Sequence, residues 1–181
     1  MILLETIRLV LAELTWDDLG NIHDLYSCPE VEEFNTIGIP EDLNMTKILI
    51  RSTVEAARSG DQKNFGWTIN LKSSGMFIGE AGLSVTNDRF RMGEIYYNLL
   101  PEFWGQGFAT EAVKTIIKFG FEELRLHRIE AGVTTDNQMS IKVLEKVGMT
   151  REGLKRKMLP IRGNWKDNYH YAILEEDERD Y

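Results

Sequence analysis

Residues 93–133 constrain the fold more than any other part of the chain. A strand-like run at 93–100 leads through 101–107 into a long amphipathic segment ending near Glu123, and 128–133 then reads as a strand rich in Ile and Val. Along the helical segment Ala109, Ala112, Val113, Ile116, Ile117 and Gly120 form an apolar stripe, with Glu111, Lys114, Lys118 and Glu122 facing out. A strand–helix–strand crossover requires a parallel pair. The chain before it requires the opposite. Runs at 65–71 and 76–85 flank the turn Lys72-Ser73-Ser74-Gly75, and a second turn, Asn87-Asp88-Arg89, leads on to Gly93. An antiparallel meander that passes into a parallel crossover predicts an α/β (mixed α+β) fold, with a mixed sheet and helices on both faces.

The remaining elements fit around that centre. Residues 6–11 read as a first strand. Residues 16–27 read as a helix with Asp17 and Asp18 in its first turn, ended by Pro29. Residues 43–58 read as a second helix, closed by Ser59-Gly60. Asn137 caps a short helix that turns Ile141, Leu144 and Val147 inward, and Gly148 suits its left-handed stop. Runs at 150–159 and 165–174 form a closing strand pair joined at 160–163. The sum is about seven strands in one domain covering 1–181, a length that buries a sizeable core unaided.

Charge narrows the function. The net charge is −8, the wrong sign for a nucleic-acid binder. It is uneven: residues 142–166 carry +6, which leaves −14 on the remainder. A basic patch on an acidic protein suits a polyanionic cofactor, and the same residues also suit a solvated surface. The single Cys28 excludes an internal disulfide and a cysteine-rich zinc module. No HxxxH, HExxH or Cys–His spacing indicates a metal, and His23, His127 and His170 are scattered. The opening MILLETIRLVLAEL lacks a basic leader, and no apolar run reaches the ~18–20 residues of a membrane span. A cytoplasmic protein is expected.

Gly105 and Gly107 sit where the strand at 93–100 turns into the long helix. The first turn of a helix presents orphan N–H groups and a partial positive charge, and glycine lets an anion approach the backbone. Gly107, Phe108, Ala109 and Thr110 then point N–H groups at one phosphate. Two glycines also serve a turn that needs positive φ. No Gly-Lys-Ser/Thr follows, so this is not a P-loop. A dinucleotide fingerprint fits imperfectly, with Thr110 where Gly or Ala belongs and Glu130 as the ribose carboxylate. That keeps a nicotinamide-dependent oxidoreductase among the alternatives.

The run Leu-Pro-Glu-Phe-Trp-Gly-Gln-Gly-Phe-Ala-Thr-Glu-Ala at 100–112 resembles the acetyl-CoA motif of the GCN5-related N-acetyltransferase superfamily. Asn137-Gln-Met-Ser140 through Gly148-Met149 resembles the second half of that site, and Glu5-Thr-Ile-Arg8-Leu-Val-Leu is similar to the opening of the RimJ/RimL-type branch. The resemblance covers nearly the whole chain and implies a splayed sheet. Three departures stand out. Trp104 occupies a position that is usually Gln or Arg, Tyr96 one that is often Gly, and Leu159 lies where relatives that modify ribosomal proteins carry a carboxylate.

The resemblance implies direct attack of an amine on the acetyl-CoA thioester. It places the pantetheine arm on backbone groups around Asn98, Leu99 and Leu100. It places the pyrophosphate on Gly105, Gln106, Gly107, Phe108, Ala109 and Thr110, with Asn137, Lys142 and Lys146 nearby. Ser140 is the candidate donor to the leaving thiolate, although a first-turn serine also satisfies backbone. Glu94 is the candidate base, directly or through water. No metal is implied. The acceptor is a primary amine on a small molecule or a peptide N-terminus, with specificity expected from residues 31–43 and the turn at 160–163. A non-catalytic acyl-CoA sensor on the same fold is the alternative. A monomer and a homodimer are both open.

Overall fold

The computed structural model describes residues 2–57 and 62–181. In chain order the elements are β1 (Leu3–Glu5), β2 (Leu9–Glu13), α1 (Leu19–Tyr26), α2 (Pro29–Glu32), α3 (Leu43–Ala56), β3 (Asn64–Leu71), β4 (Phe77–Asn87), β5 (Met92–Leu99), α4 (Phe108–Glu122), β6 (Arg128–Thr134), α5 (Gln138–Lys146), β7 (Thr150–Ile161) and β8 (Asn164–Leu174). The strands form one sheet in the order β1-β2-β3-β4-β5-β6-β8-β7. All neighbours are antiparallel except β5 and β6, the pair the crossover required.

Four details differ from the sequence reading. There are eight strands, not seven. The first predicted strand, at 6–11, is strand only from Leu9, where β2 begins; residues 6–8 are the turn between β1 and β2, with Ile7 93% exposed. Pro29 does not simply end a helix: α1 stops at Tyr26 and Pro29 opens the short α2. Pro160 lies inside the edge strand β7, where its missing N–H is tolerated, and the turn narrows to Arg162-Gly163, both at positive φ. The predicted end of α3 at Arg58, with Ser59-Gly60, falls outside the described residues.

Alternation along the strands sorts side chains onto two faces. Phe65, Trp67 and Ile69 of β3, Ala81 and Leu83 of β4, and Ile129, Ala131 and Val133 of β6 pack with α4 and α5 into the larger core. Phe119 of α4 meets the Phe65 and Trp67 rings edge-on, each at 5.4 Å. The other face carries α1, α2 and α3 over a smaller cluster of Leu14, Ile22, Leu25, Tyr26, Val31, Ile50 and Val54. Among the described residues no helix is long and apolar enough to cross a membrane.

The sheet is not closed along its whole length. β5 and β6 pair only at Met92–Arg128, Gly93–Ile129 and Glu94–Glu130. Beyond that vertex β5 stays with β4 as far as Leu99 while β6 stays with β8 as far as Thr134. The two strands diverge and leave a wedge through the sheet.

Candidate active site

A cavity of about 940 Å³ fills the wedge and opens on both faces of the sheet. Its walls include Tyr96, Tyr97, Asn98 and Leu99 from β5, Ala131, Gly132, Val133 and Thr134 from β6, and residues from α1, α3, α4 and α5.

On the α4 side the wall is the loop preceding that helix. Gly105 and Gly107 have φ of +71° and +82°, so both glycines are required by the turn as well as by any close ligand. Gly107 caps α4 with no side-chain hydrogen bond, and the first intrahelical bond runs from Glu111 N–H to Gly107 C=O. The N–H groups of Phe108, Ala109 and Thr110 therefore start the helix without a side-chain cap, and all three residues line the cavity. The loop is tethered from the far end of the sheet. Arg8, in the β1–β2 turn, donates from Nη1 to the Gln106 carbonyl (3.1 Å), from Nε to Glu111 (2.7 Å) and from its amide to Glu111 (2.8 Å). The Thr6 hydroxyl also donates to Glu111, and the Arg8 guanidinium stacks 4.3 Å from the Phe108 ring. Burial alone would raise the Glu111 pKa; the bonds from Thr6 and Arg8 outweigh it and hold the carboxyl below its ordinary value.

On the α5 side, Asn137 Oδ1 accepts the Ser140 amide at 3.0 Å, the cap the sequence predicted. The Ser140 hydroxyl is 2.7 Å from the Tyr97 hydroxyl, and both line the cavity. Burial raises the Tyr97 pKa against the opposing bond to Ser140, so Tyr97 keeps its proton at neutral pH. Lys142 and Lys146 are exposed at the mouth.

The opposite side of β5 presents Glu94, Tyr96 and Asn98 toward α1 and α3. Asn98 Nδ2 donates to Glu80 Oε1 at 3.1 Å, and the Tyr26 hydroxyl also bonds that carboxyl. Glu80 is 1% exposed, and desolvation raises its pKa although Tyr26 and Asn98 pull it down. The Tyr96 ring lies over Gly82, its register partner, where an added Cβ would sit 2.2 Å from the ring. The bulk at Tyr96 is thus accommodated by a glycine on the next strand. Glu94 lines the cavity at its vertex and is exposed to water.

Other expected residues fall differently. Leu100 is not in the cavity wall: its N–H bonds Ile78 C=O and its side chain packs on the smaller core. Gln106 is also outside the wall, with its carbonyl on Arg8 and its amide on Glu102. Since the Leu100 N–H points at β4, the Asn98 amide does so too, and the amides that open into the wedge are those of Tyr97 and Leu99. The Leu99 carbonyl already accepts the Trp104 indole at 2.7 Å. The basic segment is dispersed. Arg162 bonds Glu32 at 2.5 Å and Lys166 bonds Asp136 at 2.8 Å, so only Lys142 and Lys146 of its eight cations reach the cavity wall. Of the segment 31–43, Val31, Phe34 and Ile37 line the cavity, whereas the 160–163 turn does not. Among the described residues, His127, Glu175 and Glu176 also cluster, but at an exposed corner outside the cavity where Glu175 is engaged by Arg91.

Wall residues that escaped the sequence reading include Tyr97, Glu80, Tyr26 and Asn168. Only Glu80 left a clear signal, as a lone acid inside the apolar run at 77–83.

Comparison with known proteins agrees with this geometry. The acetyltransferase (GNAT) domain profile matches residues 8–150. An uncharacterized N-acetyltransferase, YoaA of Bacillus subtilis, is 31% identical over 176 residues, covering 97% of this chain and 98% of its own. A GNAT-family acetyltransferase from Bacillus anthracis superposes with a TM-score of 0.84 at 28% identity, covering 97% of this chain and all (100%) of that one. RimJ from Mycobacterium smegmatis, in complex with CoA-disulfide, gives 0.82 at 25% identity over 94% of this chain and 85% of its own. The wedge-shaped cavity, the glycine loop at the start of α4 and these matches lead to one conclusion: the chain belongs to the GNAT family and is an N-acetyltransferase.

Proposed function

We propose that the protein transfers the acetyl group of acetyl-CoA to a primary amine by direct attack, as a RimJ/RimL-type member acting in the cytoplasm. The observation that carries this is the start of α4, which has no side-chain cap and whose first three residues line the cavity in the wedge of the sheet. In this reading the pyrophosphate rests on Phe108, Ala109 and Thr110 beside Gly105 and Gly107, and Lys142 and Lys146 attract the outer phosphates. The pantetheine arm lies in the wedge and pairs with the Tyr97 and Leu99 amides. The residues present suit a long, polyanionic thioester, and acetyl-CoA supplies the activated acetyl group.

The acetyl carbonyl then lies at the β5 edge, and the sulfur faces Ser140 and Tyr97. Their paired hydroxyls deliver a hydrogen bond or proton to the thiolate as the C–S bond breaks. Glu94, open to water at the vertex, passes the amine's surplus proton to solvent. A CoA complex of RimJ supports the cofactor assignment by likeness. Leu159, at the cavity wall in place of a carboxylate, favours an acceptor other than a ribosomal protein.

A thermal-shift screen followed by thiol release tests the reading. Acetyl-CoA at 100 times its Kd stabilises by ~2.7 kcal/mol, a rise of roughly 5–10 °C for a chain of this size, whereas NADH gives none. CoA release that depends on an added amine separates an enzyme from a sensor. A shift with NADH alone, or binding without turnover for any amine, would reject it.

A further inference from the structure

Two glycines and a tyrosine lie in a row across neighbouring strands. Gly66 of β3 pairs with Gly82 of β4, and Gly82 pairs with Tyr96 of β5, on the face that carries α1, α2 and α3. With no side chain at either glycine, the sheet beneath α3 has a trough whose floor is main chain. The Tyr96 side chain fills it. Its ring covers Gly82, so that an added Cβ there would overlap the ring carbons, and its hydroxyl lies 3.4 Å from where a Gly66 Cβ would be. Thr53 of α3 closes the far end: its methyl group packs on Gly66, and its side chain shares a hydrogen bond with the Tyr96 hydroxyl. Tyr96 is half-buried and lines the cavity together with Leu14, Ile50 and Thr53. The ring therefore both fills the trough and presents surface to the cavity.

Strand alternation places the ring relative to the reacting atoms. Tyr97 meets Ser140 on the α5 face, and Tyr96, its neighbour in the chain, points to the opposite face. In the acetyl-transfer reading the sulfur faces Ser140 and Tyr97. The acyl group then extends from the thioester toward the α1–α3 face, where Tyr96 and Asn98 are the first side chains of β5 that it meets. Asn98 is held by its bond to Glu80. A longer acyl chain has no free course there. The trough is occupied by the Tyr96 ring. The rest of this half of the cavity is the space the amine needs, and its wall carries Glu30, Asn35, Thr36 and Glu94, polar surface that an alkyl chain would desolvate without return.

We infer that Tyr96 is the specificity-determining residue for the acyl group: its ring closes the Gly66–Gly82 trough and confines transfer to acetyl and similarly short acyl groups. The inference rests on the acetyl-transfer reading above. Without the ring, the trough offers a longer alkyl chain a slot under α3, beside the thioester and away from the path of the amine. The floor of that slot, the backbone of Gly66 and Gly82, has no side chain to move into the space.

The test is calorimetric titration of the full chain with acetyl-CoA and with hexanoyl-CoA, which needs no acceptor. Wild-type protein should bind hexanoyl-CoA no tighter than acetyl-CoA. Tyr96→Ala should shift the ratio of the two Kd values by at least about 10-fold in favour of hexanoyl-CoA, as burial of roughly two of the added methylene groups supplies. Tyr96→Phe keeps the ring and should keep the wild-type ratio. Tyr96→Leu, shorter but still apolar over Gly82, should give an intermediate ratio, and it decides the matter if the alanine variant does not fold. A general loosening of the fold would weaken both ligands and leave the ratio where it was. Wild-type protein that fails to bind acetyl-CoA overturns the acetyl-transfer reading itself. With acetyl-CoA bound, three results overturn this inference alone: wild-type protein that favours hexanoyl-CoA by about 10-fold, a ratio unchanged in the alanine and leucine variants, or an equal shift in Tyr96→Phe.

Discussion

Replacing Arg8 with alanine should weaken acetyl-CoA binding without slowing the chemistry. Arg8 is far from the cavity in sequence and outside its wall, yet it gives the 105–107 loop its tie to the β1–β2 turn through Gln106. The Arg8–Glu111 pair is part exposed, with side chains 44% and 18% accessible, so its direct worth to stability is about 1 kcal/mol or less. That corresponds to a fall in Tm of roughly 2–4 °C. The larger effect is entropic. Fixing one residue's backbone costs ~1–2 kcal/mol, and the freed loop contains two glycines. Re-ordering about one residue's worth of freedom on binding raises Kd by about 10-fold, or 1.4 kcal/mol. Calorimetric titration of acetyl-CoA into the variant reads Kd, and thiol release at saturation reads kcat, which should stay within about threefold. Glu111→Gln should act through the same network, so the double variant should lose less than the sum of the two. An unchanged Kd in Arg8→Ala, or a fall in kcat at unchanged Kd, would refute the tether.

Ser140→Ala should lower kcat and kcat/KM together by about 10- to 100-fold, below the ~100- to 10,000-fold usual for a proton donor, because Tyr97 or a water fills in; equal turnover with chemistry rate-limiting would make Ser140 a helix-start residue only. Gly82→Ala drives a methyl group into the Tyr96 ring and should cost about 1–3 kcal/mol, read as a lower urea midpoint, and Tyr96→Ala should relieve most of it. The Glu111 carboxyl has a folded pKa below its unfolded one, so its contribution is fully present above the unfolded pKa of about 4.3 and is lost as pH falls through the folded value. The stability gap between parent and Glu111→Gln should therefore be flat from pH 8 to about 5 and shrink below that, and a gap that widens in acid would contradict the assignment.

The parts of the fold that local chemistry dictates were legible in the sequence. The meander, the crossover and its parallel pair follow from hydrophobic period and turn residues. The α5 cap was readable because Asn137 and Ser140 are three residues apart and complete their bond locally. The β1–β2 turn was not, because the group that holds Thr6 and Arg8 in place is Glu111, more than 100 residues later. Local alternation alone started the strand at residue 6, three residues before β2 begins at Leu9. At the site, the glycine loop declared itself through residues that serve only a turn or a ligand. Glu80, Tyr97 and Asn168 did not, because their meaning comes from the strand or helix opposite: Asn98, Ser140 and Gly132 respectively. The basic segment misled for the same reason, since the carboxylates that neutralise Arg162 and Lys166 are distant in sequence.

The central claim, that the start of α4 receives the pyrophosphate of acetyl-CoA, is tested most directly by residue-resolved amide hydrogen exchange with and without saturating acetyl-CoA. The N–H groups of Phe108, Ala109 and Thr110 have no intrahelical acceptor and should exchange rapidly in the free protein. Saturation with acetyl-CoA should slow all three by at least about 10-fold, together with the wedge-facing amides of Tyr97 and Leu99, while NADH leaves them unchanged. Exchange at Phe108, Ala109 and Thr110 that is unaltered by saturating acetyl-CoA would contradict the account.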